Sequence, residues 1–261
     1  EACAPRGIHV MVEKPLAVSL EHAKKMKALA EKHNIHLITN YETTWYPSTF
    51  KAYEILQSGE VGDLRKVVVR DGHKGPKKIG VSNEFLEWLT DPKLNGGGAI
   101  IDFGCYGANL VTWLESGKRP KSVTAVTQQL QPENNPKVDD EGTIILNYDD
   151  SQAIIQASWN WPIGRKDMEI YGLTGAIYAD NPTDVRVLNA EGYSGFEETE
   201  YKLKYENTPF EDPFTLFLAV INGDLVLDEY ALPSLENNMI VVEILSAAVE
   251  SARTGKTVYL K

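Results

Sequence analysis

The chain has 261 residues, 43% of them hydrophobic, which is enough to bury a substantial core in one large domain or two smaller ones. Its formal net charge of -11 and the lack of a long basic run argue against binding to a phosphate backbone, so nucleic acid is not an expected partner. No apolar run approaches the roughly 20 residues needed to cross a bilayer, so we expect a soluble globular protein without a membrane partner.

The cysteines and the first residues indicate in which cellular compartment the protein is expected. Cys3 and Cys105 are far apart in sequence and form neither a disulfide framework nor a CxxC pair, which favours a reducing compartment such as the cytoplasm. The stretch from Glu1 to Gly7 does not resemble a signal peptide. Because the chain opens at Glu1 without Met, we expect its natural start to lie upstream, where any targeting signal would also lie.

The first forty residues predict one β-α-β unit. Ile8–Val12 and Ile35–Thr39 are short apolar runs of the kind that form buried parallel strands. Between them, Ser19 is a candidate N-cap for a helix that closes at His33-Asn34. Such a unit is the building block of a doubly wound sheet, but a single one cannot stand as a domain.

The next segment predicts helices and a strand. A helix should run from Pro47 to about Ser58, with Gly59 as its stop, followed by a strand over Leu64–Asp71. A polar, glycine-containing stretch then leads through Asn95-Gly96-Gly97-Gly98 into a helix over about Phe103–Ser116.

The remainder is dominated by strand signals separated by turn residues. The predicted strands are Ser122–Leu130, Gly142–Tyr148, Gln152–Trp159, Asp167–Gly172, Ala176–Ala179, Asp184–Leu188 and Glu200–Lys204. We expect them to pair as consecutive hairpins in an antiparallel sheet. A last helix over about Leu235–Arg253 and a short strand over Thr257–Leu260 complete an α/β (α+β) fold.

Three residues are candidates for chemistry. Lys14 follows a predicted buried strand, and ligands of doubly wound sheets bind at the carboxyl ends of strands, although a lone lysine is more often an exposed surface residue. Asp102 and Tyr106 stand four apart, so both can point from one helix face; a helix cap and a core aromatic are the alternatives.

Other patterns are weaker. The glycines at 96–98 are either a flexible turn or a site of close backbone approach to a ligand, and they are not a dinucleotide fingerprint, because GxGxxG does not occur in the chain. Trp159 and Trp161 alternate, so both should emerge on one strand face, as core or interface or as a sugar platform. The histidines form no ligand cluster, and no GxSxG elbow occurs, so neither a metal site nor a serine hydrolase is expected.

Several of these motifs occur together in an order that resembles one family. They are Glu13-Lys14-Pro15-Leu16-Ala17, Gly96-Gly97-Gly98-Ala99-Ile100-Ile101-Asp102 with Tyr106, Gly164-Arg165-Lys166-Asp167-Met168-Glu169-Ile170-Tyr171-Gly172, and Leu235-Glu236-Asn237-Asn238. The chain resembles the glucose-fructose oxidoreductase, inositol dehydrogenase and rhizopine catabolism (Gfo/Idh/MocA) family. Tyr106, where many members have His, resembles the glucose-fructose oxidoreductase and dihydrodiol dehydrogenase branch.

The resemblance implies a domain plan. Residues 1–41 would be the residual end of a Rossmann domain that binds NAD or NADP, and residues 42–261 an α/β domain with a large, mostly antiparallel open sheet. The glycine loop would lie upstream of Glu1, so we expect this chain to be a truncated form with little or no cofactor binding and no activity. Thr43-Thr44 departs from the paired arginines of many members, which puts contacts made there in doubt.

The resemblance also implies roles for residues. Lys14, Asp102 and Tyr106 would be catalytic in hydride transfer to or from a carbohydrate, with Tyr106 as acid/base, Lys14 stabilising its anion and Asp102 orienting the hydroxyl; Lys14 and Tyr106 could exchange roles. Glu13, Lys14, Pro15 and Tyr41 would contact the cofactor.

Two other functions remain open: a noncatalytic sugar-binding or oligomerising module, and an NAD-dependent glycosidase of the same family. In each case we expect a homodimer or homotetramer formed through the open sheet.

Overall fold

A computed structural model of the protein describes residues 1–208 and 212–260. Its N-terminal unit consists of strand β1 (Val10–Glu13), helix α1 (Leu20–His33) and strand β2 (Leu37–Asn40), with the two strands parallel. The Ser19 hydroxyl accepts a hydrogen bond from the His22 main-chain N–H at 3.2 Å, which caps α1. The predicted β-α-β unit and its N-cap are therefore confirmed.

The middle of the chain contains more and shorter helices than predicted. After a short 3-10 turn at Glu42–Trp45 come α2 (Pro47–Ser58), β3 (Leu64–Gly72), α3 (Pro76–Ile79), α4 (Asn83–Leu89), α5 (Ala99–Asp102) and α6 (Gly104–Leu114). The sequence did not predict α3 and α4, since each is too short for a helical period to show. Helix α6 agrees with the helix expected over about Phe103–Ser116, and the short helix α5 that precedes it was not predicted.

The β region forms one sheet of nine strands within the described residues. Its later strands are β4 (Ser122–Gln128), β5 (Glu141–Asn147), β6 (Gln152–Ser158), β7 (Arg165–Gly172), β8 (Gly175–Ala179), β9 (Asp184–Glu191), β10 (Gly195–Lys202) and β11 (Val258–Tyr259). The order is β10-β9-β8-β7-β3-β6-β5-β4-β11. The mostly antiparallel sheet is confirmed.

The expectation of consecutive hairpins was wrong at one place. β6 and β7 are not neighbours, because β3 lies between them, parallel to β6 and antiparallel to β7. A hairpin is predicted from the turn between two segments that follow each other in sequence. Such a prediction cannot detect that a strand from about a hundred residues earlier lies between those two segments in the sheet. This insertion sets residues at the end of β3 beside the start of β7.

Two helices follow the sheet. Helix α7 (Pro213–Asn222) was not predicted; the Asp212 side chain caps it by accepting hydrogen bonds from the Phe214 and Thr215 main-chain N–H groups. Helix α8 (Leu235–Thr254) agrees with the prediction. Although α8 is the longest helix, neither it nor any other helix in residues 1–208 and 212–260 combines the length and apolar character of a membrane span.

The helices α6 and α8 cover one face of the sheet, where side chains such as Ile144, Ile155 and Ile170 are fully buried. The N-terminal unit packs against the same α8. Leu16, Ala23, Ala30 and Leu37 form a small cluster with Val242 of that helix. The end of β1 is thereby held next to α5, which positions the site described next.

Candidate active site

The three residues predicted to be catalytic lie together. Lys14 directly follows β1, Asp102 ends α5 and Tyr106 lies in the first turn of α6, and all three line one cavity of about 550 Å³. That volume is within the range of small-molecule binding sites. Asp102 and Tyr106 lie on either side of Phe103, where α5 meets α6, and both line this cavity.

Lys14 and Asp102 form an ion pair that is largely buried. The Lys14 Nζ donates to the Asp102 carboxylate and, at 2.8 Å, to the main-chain oxygen of Asp102. Burial alone would lower the pKa of Lys14 and raise the pKa of Asp102, but the charge of each partner reverses both directions. Both groups therefore stay charged at neutral pH.

The second carboxylate oxygen of Asp102 is held by Trp159, whose indole Nε1 donates to Oδ2 at 2.9 Å. The sequence-based interpretation of Trp159 and Trp161 as neighbours on one strand face was wrong. Strand β6 ends at Ser158, whose hydroxyl accepts from the Asn160 main-chain N–H and turns the chain. Trp159 is then fully buried under Asp102, whereas Trp161 is half-buried and lies near Arg165.

The glycine run before α5 allows close packing against protein backbone. A Cβ at Gly98 would overlap the main-chain oxygen of Asp139, and Gly96 has a left-handed φ of 86°. The Asp139 carboxylate accepts from the main-chain N–H groups of Gly98 and Ile100 at 2.9 and 2.8 Å. Of the two interpretations left open by the sequence, the structure shows the close backbone approach. The glycines approach the loop that contains Asp139 rather than a ligand.

Tyr106 lies between two ammonium groups. The Nζ atoms of Lys14 and Lys166 are 5.0 and 4.5 Å from its ring centroid, and Lys166 donates to the Tyr106 hydroxyl at 3.5 Å. Burial and nearby acidic groups raise the pKa of Tyr106 well above its ordinary value. The resting phenol is therefore neutral, and the cation at its hydroxyl is Lys166 rather than the predicted Lys14.

Sequence reasoning missed several residues of this cavity. Glu42 accepts from both Lys166 and the Tyr46 hydroxyl, and His73 packs edge-on against Phe103 with ring centroids 4.9 Å apart. An apolar wall opposite the polar residues comes from the two unpredicted helices and the loop between them. Its members are Pro76, Ile79, Val81, Phe85 and Leu89. Gly164, Arg165 and Lys166 of the cavity stood in a recognised motif, where nothing local marked them as part of the site.

Three of the four residues predicted to contact the cofactor lie at the end of β1, and the fourth, Tyr41, is buried beside Tyr106. Glu13, Lys14 and Pro15 stand at the carboxyl end of β1, where Glu13 accepts a hydrogen bond from Asn40 at 2.7 Å. Tyr41 is fully buried and packs edge-on against Tyr106, with ring centroids 5.6 Å apart, so its side chain supports that residue. Roles at the cofactor stay predictions for all four.

Two protein-family models match the chain. The GFO/IDH/MocA C-terminal domain matches residues 50–178, and the NAD-binding Rossmann fold of the same oxidoreductase family matches residues 1–41. Among curated proteins, trans-1,2-dihydrobenzene-1,2-diol dehydrogenase of Xenopus tropicalis is 26% identical over 212 residues, which cover 78% of this chain and 59% of the relative. The chain thus spans about three fifths of that enzyme's length.

Two further similarities span the whole chain. D-xylose 1-dehydrogenase [NADP(+)] of Haloarcula marismortui is 23% identical over 100% of this chain and 70% of the relative. The crystal structure of GenD2 from gentamicin A biosynthesis, in complex with NAD, superposes with a TM-score of 0.80 at 24% identity, covering 100% of this chain and 74% of that one. The structural likeness establishes a shared fold.

The hydrogen bond from Trp159 to Asp102 should make the stability of the protein depend on pH. Because the pKa of Asp102 is depressed in the folded protein, its contribution is present above the unfolded value of about 3.9 and is lost as pH falls. Trp159→Phe removes one donor, so we expect acid unfolding to begin at higher pH and the free energy of unfolding at pH 7 to fall by about 1–3 kcal/mol. Urea titrations across pH measure both quantities.

Trp161→Phe is the matched control, because Trp161 makes no contact with Asp102 among the contacts of the described chain. A cavity left by the smaller ring lowers stability equally at all pH values. An acid limb identical in Trp159→Phe and wild type would contradict the assigned role of the indole.

Proposed function

This chain belongs to the Gfo/Idh/MocA family of oxidoreductases, and on that basis we propose that it provides the substrate side and the acid–base group of an NAD(P)-dependent dehydrogenase. The reaction would be hydride transfer at a hydroxyl-bearing carbon of a sugar, polyol or related alcohol. One observation carries the proposal: Lys14, Asp102 and Tyr106, from three separate elements, converge on one cavity.

The cavity residues fit the nicotinamide end of a dinucleotide. The polar groups stand at the carboxyl end of β1, the edge at which doubly wound sheets bind ligands, and the cavity has room for a ring beside a small alcohol. Glu13, Lys14 and Pro15 would border that ring. When bound, the nicotinamide accepts or supplies the hydride.

Tyr106 is the proposed acid/base. In the oxidation direction the substrate hydroxyl must lose a proton as its carbon loses the hydride, and the Tyr106 hydroxyl accepts from Lys166 at 3.5 Å while the Lys14 ammonium lies over the ring. Lys14 and Lys166 together would offset the burial that disfavours the phenolate. Lys14 is less suited to be the base, because Asp102 holds it in the charged form.

Lys14 and Asp102 would orient the substrate. The ammonium of Lys14 retains a donor to stabilise negative charge that develops on the substrate oxygen, while Asp102, fixed by Lys14 and Trp159, presents acceptor lone pairs for a second hydroxyl. A vicinal diol suits this spacing. The curated relatives named above act on a dihydrodiol and on xylose, which supports that substrate class.

Substitution at the two proposed catalytic positions tests the proposal. Tyr106→Phe removes the proton-transfer atom and Lys14→Met removes the charge, so each should lower kcat by about 100-fold or more. Steady-state kinetics with xylose or a cyclic vicinal diol and NAD or NADP measure the effect. Lys202→Met, an exposed lysine on the edge strand, is the control. Unchanged turnover in Tyr106→Phe would refute the assignment.

We also propose that the 261-residue chain by itself binds nicotinamide dinucleotide weakly. The reason is that its sequence contains no GxGxxG loop to hold the pyrophosphate at a helix N-terminus. Calorimetric titration with NAD and with NADP should give a Kd in the millimolar range. Micromolar affinity for either cofactor would contradict the prediction.

A homodimer or homotetramer through the open sheet is the proposed assembly. On the face away from α6 and α8, Ile145 of β5 pairs with Ile154 of β6, and Ile154 pairs with Val68 of β3, which makes an apolar stripe across three strands. Trp159 lies in the core and does not contribute to this face. A second copy of the sheet would cover the stripe.

Light scattering tests this assembly. The wild-type chain should have the mass of a dimer or tetramer, and Ile154→Lys should reduce it to a monomer, because a charge at the centre of the stripe would be buried without a partner. Glu197→Lys on the exposed edge strand β10 is the control for the change in charge. A monomeric wild type would contradict the proposal.

A further inference from the structure

A small chamber adjoins the cavity of the candidate active site and shares Tyr46 and Lys166 with its lining. It has a volume of about 10 Å³. Its polar lining is formed by Thr43, Tyr46, Ser48, Thr49, Asp71, Lys166 and Asp167. A space of this size is close to that of a single water molecule, and a buried water needs two to four polar partners. The chamber offers both the room and the partners.

Asp71 and Lys166 face each other across this chamber. They are directly paired in the antiparallel ladder between β3 and β7, so their side chains leave the same face of the sheet. Asp71 is buried to 1% exposure, yet neither of its carboxylate oxygens has a hydrogen-bond partner in the described part of the chain, and the same holds for the hydroxyl of Thr43. Burial without a hydrogen-bond partner favours a protonated carboxyl that is hydrogen-bonded to a water molecule.

Lys166 does not pair with Asp71 despite the register. Its Nζ contacts the Glu42 carboxylate and lies 3.5 Å from the Tyr106 hydroxyl, and its side chain lines both the chamber and the substrate cavity. The Glu42 side chain is 57% exposed. A continuous series of polar groups therefore leads from Tyr106 through Lys166 and Glu42 to solvent.

The charge state of Asp71 explains where Lys166 points. An ionised Asp71 would attract the ammonium into the chamber and away from Tyr106. Burial raises the pKa of Asp71 well above its ordinary value, which disfavours the ionised form that would compete with Glu42 and Tyr106 for Lys166. The titratable groups around Lys166 are Lys14, Glu42, Tyr46, Asp71, Tyr106, Arg165 and Asp167.

We propose that Lys166 exchanges protons between Tyr106 and solvent, and that Asp71, neutral and hydrogen-bonded to one chamber water, is a positioning residue that keeps Lys166 on Tyr106. The proposal rests on the proposed function of Tyr106. In the oxidation direction the substrate hydroxyl gives its proton to the Tyr106 oxygen, and the phenol proton passes to Lys166. In the same step Lys166 gives one of its own protons to Glu42, which releases it to water, so Lys166 keeps its charge and one proton leaves per hydride transferred.

The state of Asp71 can be tested without cofactor. A group whose folded pKa is raised contributes stability below its unfolded pKa and loses it as pH rises through the folded pKa. Asp71→Asn mimics the neutral acid, so its Tm should exceed that of wild type by roughly 2–4 °C at pH 8 and by less at pH 5. Asp63→Asn, at an exposed position, is the control.

Infrared difference spectra of wild type minus Asp71→Asn should show a protonated carboxyl band at pH 7. Absence of that band, or a Tm of Asp71→Asn below that of wild type at pH 8, would overturn the role of Asp71.

The role of Lys166 is tested by Lys166→Met and Lys166→Arg, with Lys202→Met as control. Without its cation the Tyr106 phenol should ionise at higher pH in a spectrophotometric titration, read as the difference from the same variant carrying Tyr106→Phe. Lys166→Met should lower kcat about tenfold with little change in KM and shift its pH profile, and Lys166→Arg should restore the phenol titration but not kcat.

Failure of the proposed role of Lys166 and failure of the proposed function give different results. If Tyr106→Phe abolishes turnover while Lys166→Met keeps the kcat, pH profile and phenol titration of wild type, only the role of Lys166 is overturned. If Tyr106→Phe is fully active, the proposed function itself fails.

Discussion

The ion pair between Lys14 and Asp102 is the constraint on which the rest of the site depends. A carboxylate buried at the end of α5 is tolerated only if both of its oxygens are satisfied. One is satisfied by Lys14 from the N-terminal unit and the other by Trp159 from the end of β6. Three parts of the chain that are far apart in sequence are thereby held at one point, and Tyr106 follows one helical turn later.

The same arrangement explains the chemical character of Tyr106. Burial disfavours its anion, and the two ammonium groups beside the ring favour it. The phenol is neutral at rest, and in the proposed mechanism the two ammonium groups would offset burial while the phenol carries negative charge. That behaviour suits a reversible interconversion of alcohol and carbonyl, in which the same atom must accept a proton in one direction and return it in the other.

Local sequence patterns were sufficient where the chemistry is local. Strand and helix patterns made Lys14, Asp102 and Tyr106 candidates, the family resemblance implied their catalytic roles, and the structure brings the three to one cavity. Lys166 and Asp71 could not be identified in this way, because their proximity depends on β3 inserting between β6 and β7. Trp159 was misinterpreted for a related reason: the turn at Ser158 ends the strand one residue before the indole that the alternation had assigned to it.

The packing of the N-terminal unit on α8 has a consequence for how the site is assembled. This unit shares its small apolar cluster with α8 and brings Lys14 to residues that belong to the sheet-bearing part of the chain. Helix α8 packs against both the N-terminal unit and the helices that cover the sheet, so it supports both sides of the cavity. If the proposed hydride transfer takes place there, the apolar wall formed by α3 and α4 can vary, and with it the alcohols admitted, without disturbing the alignment of Lys14, Asp102 and Tyr106.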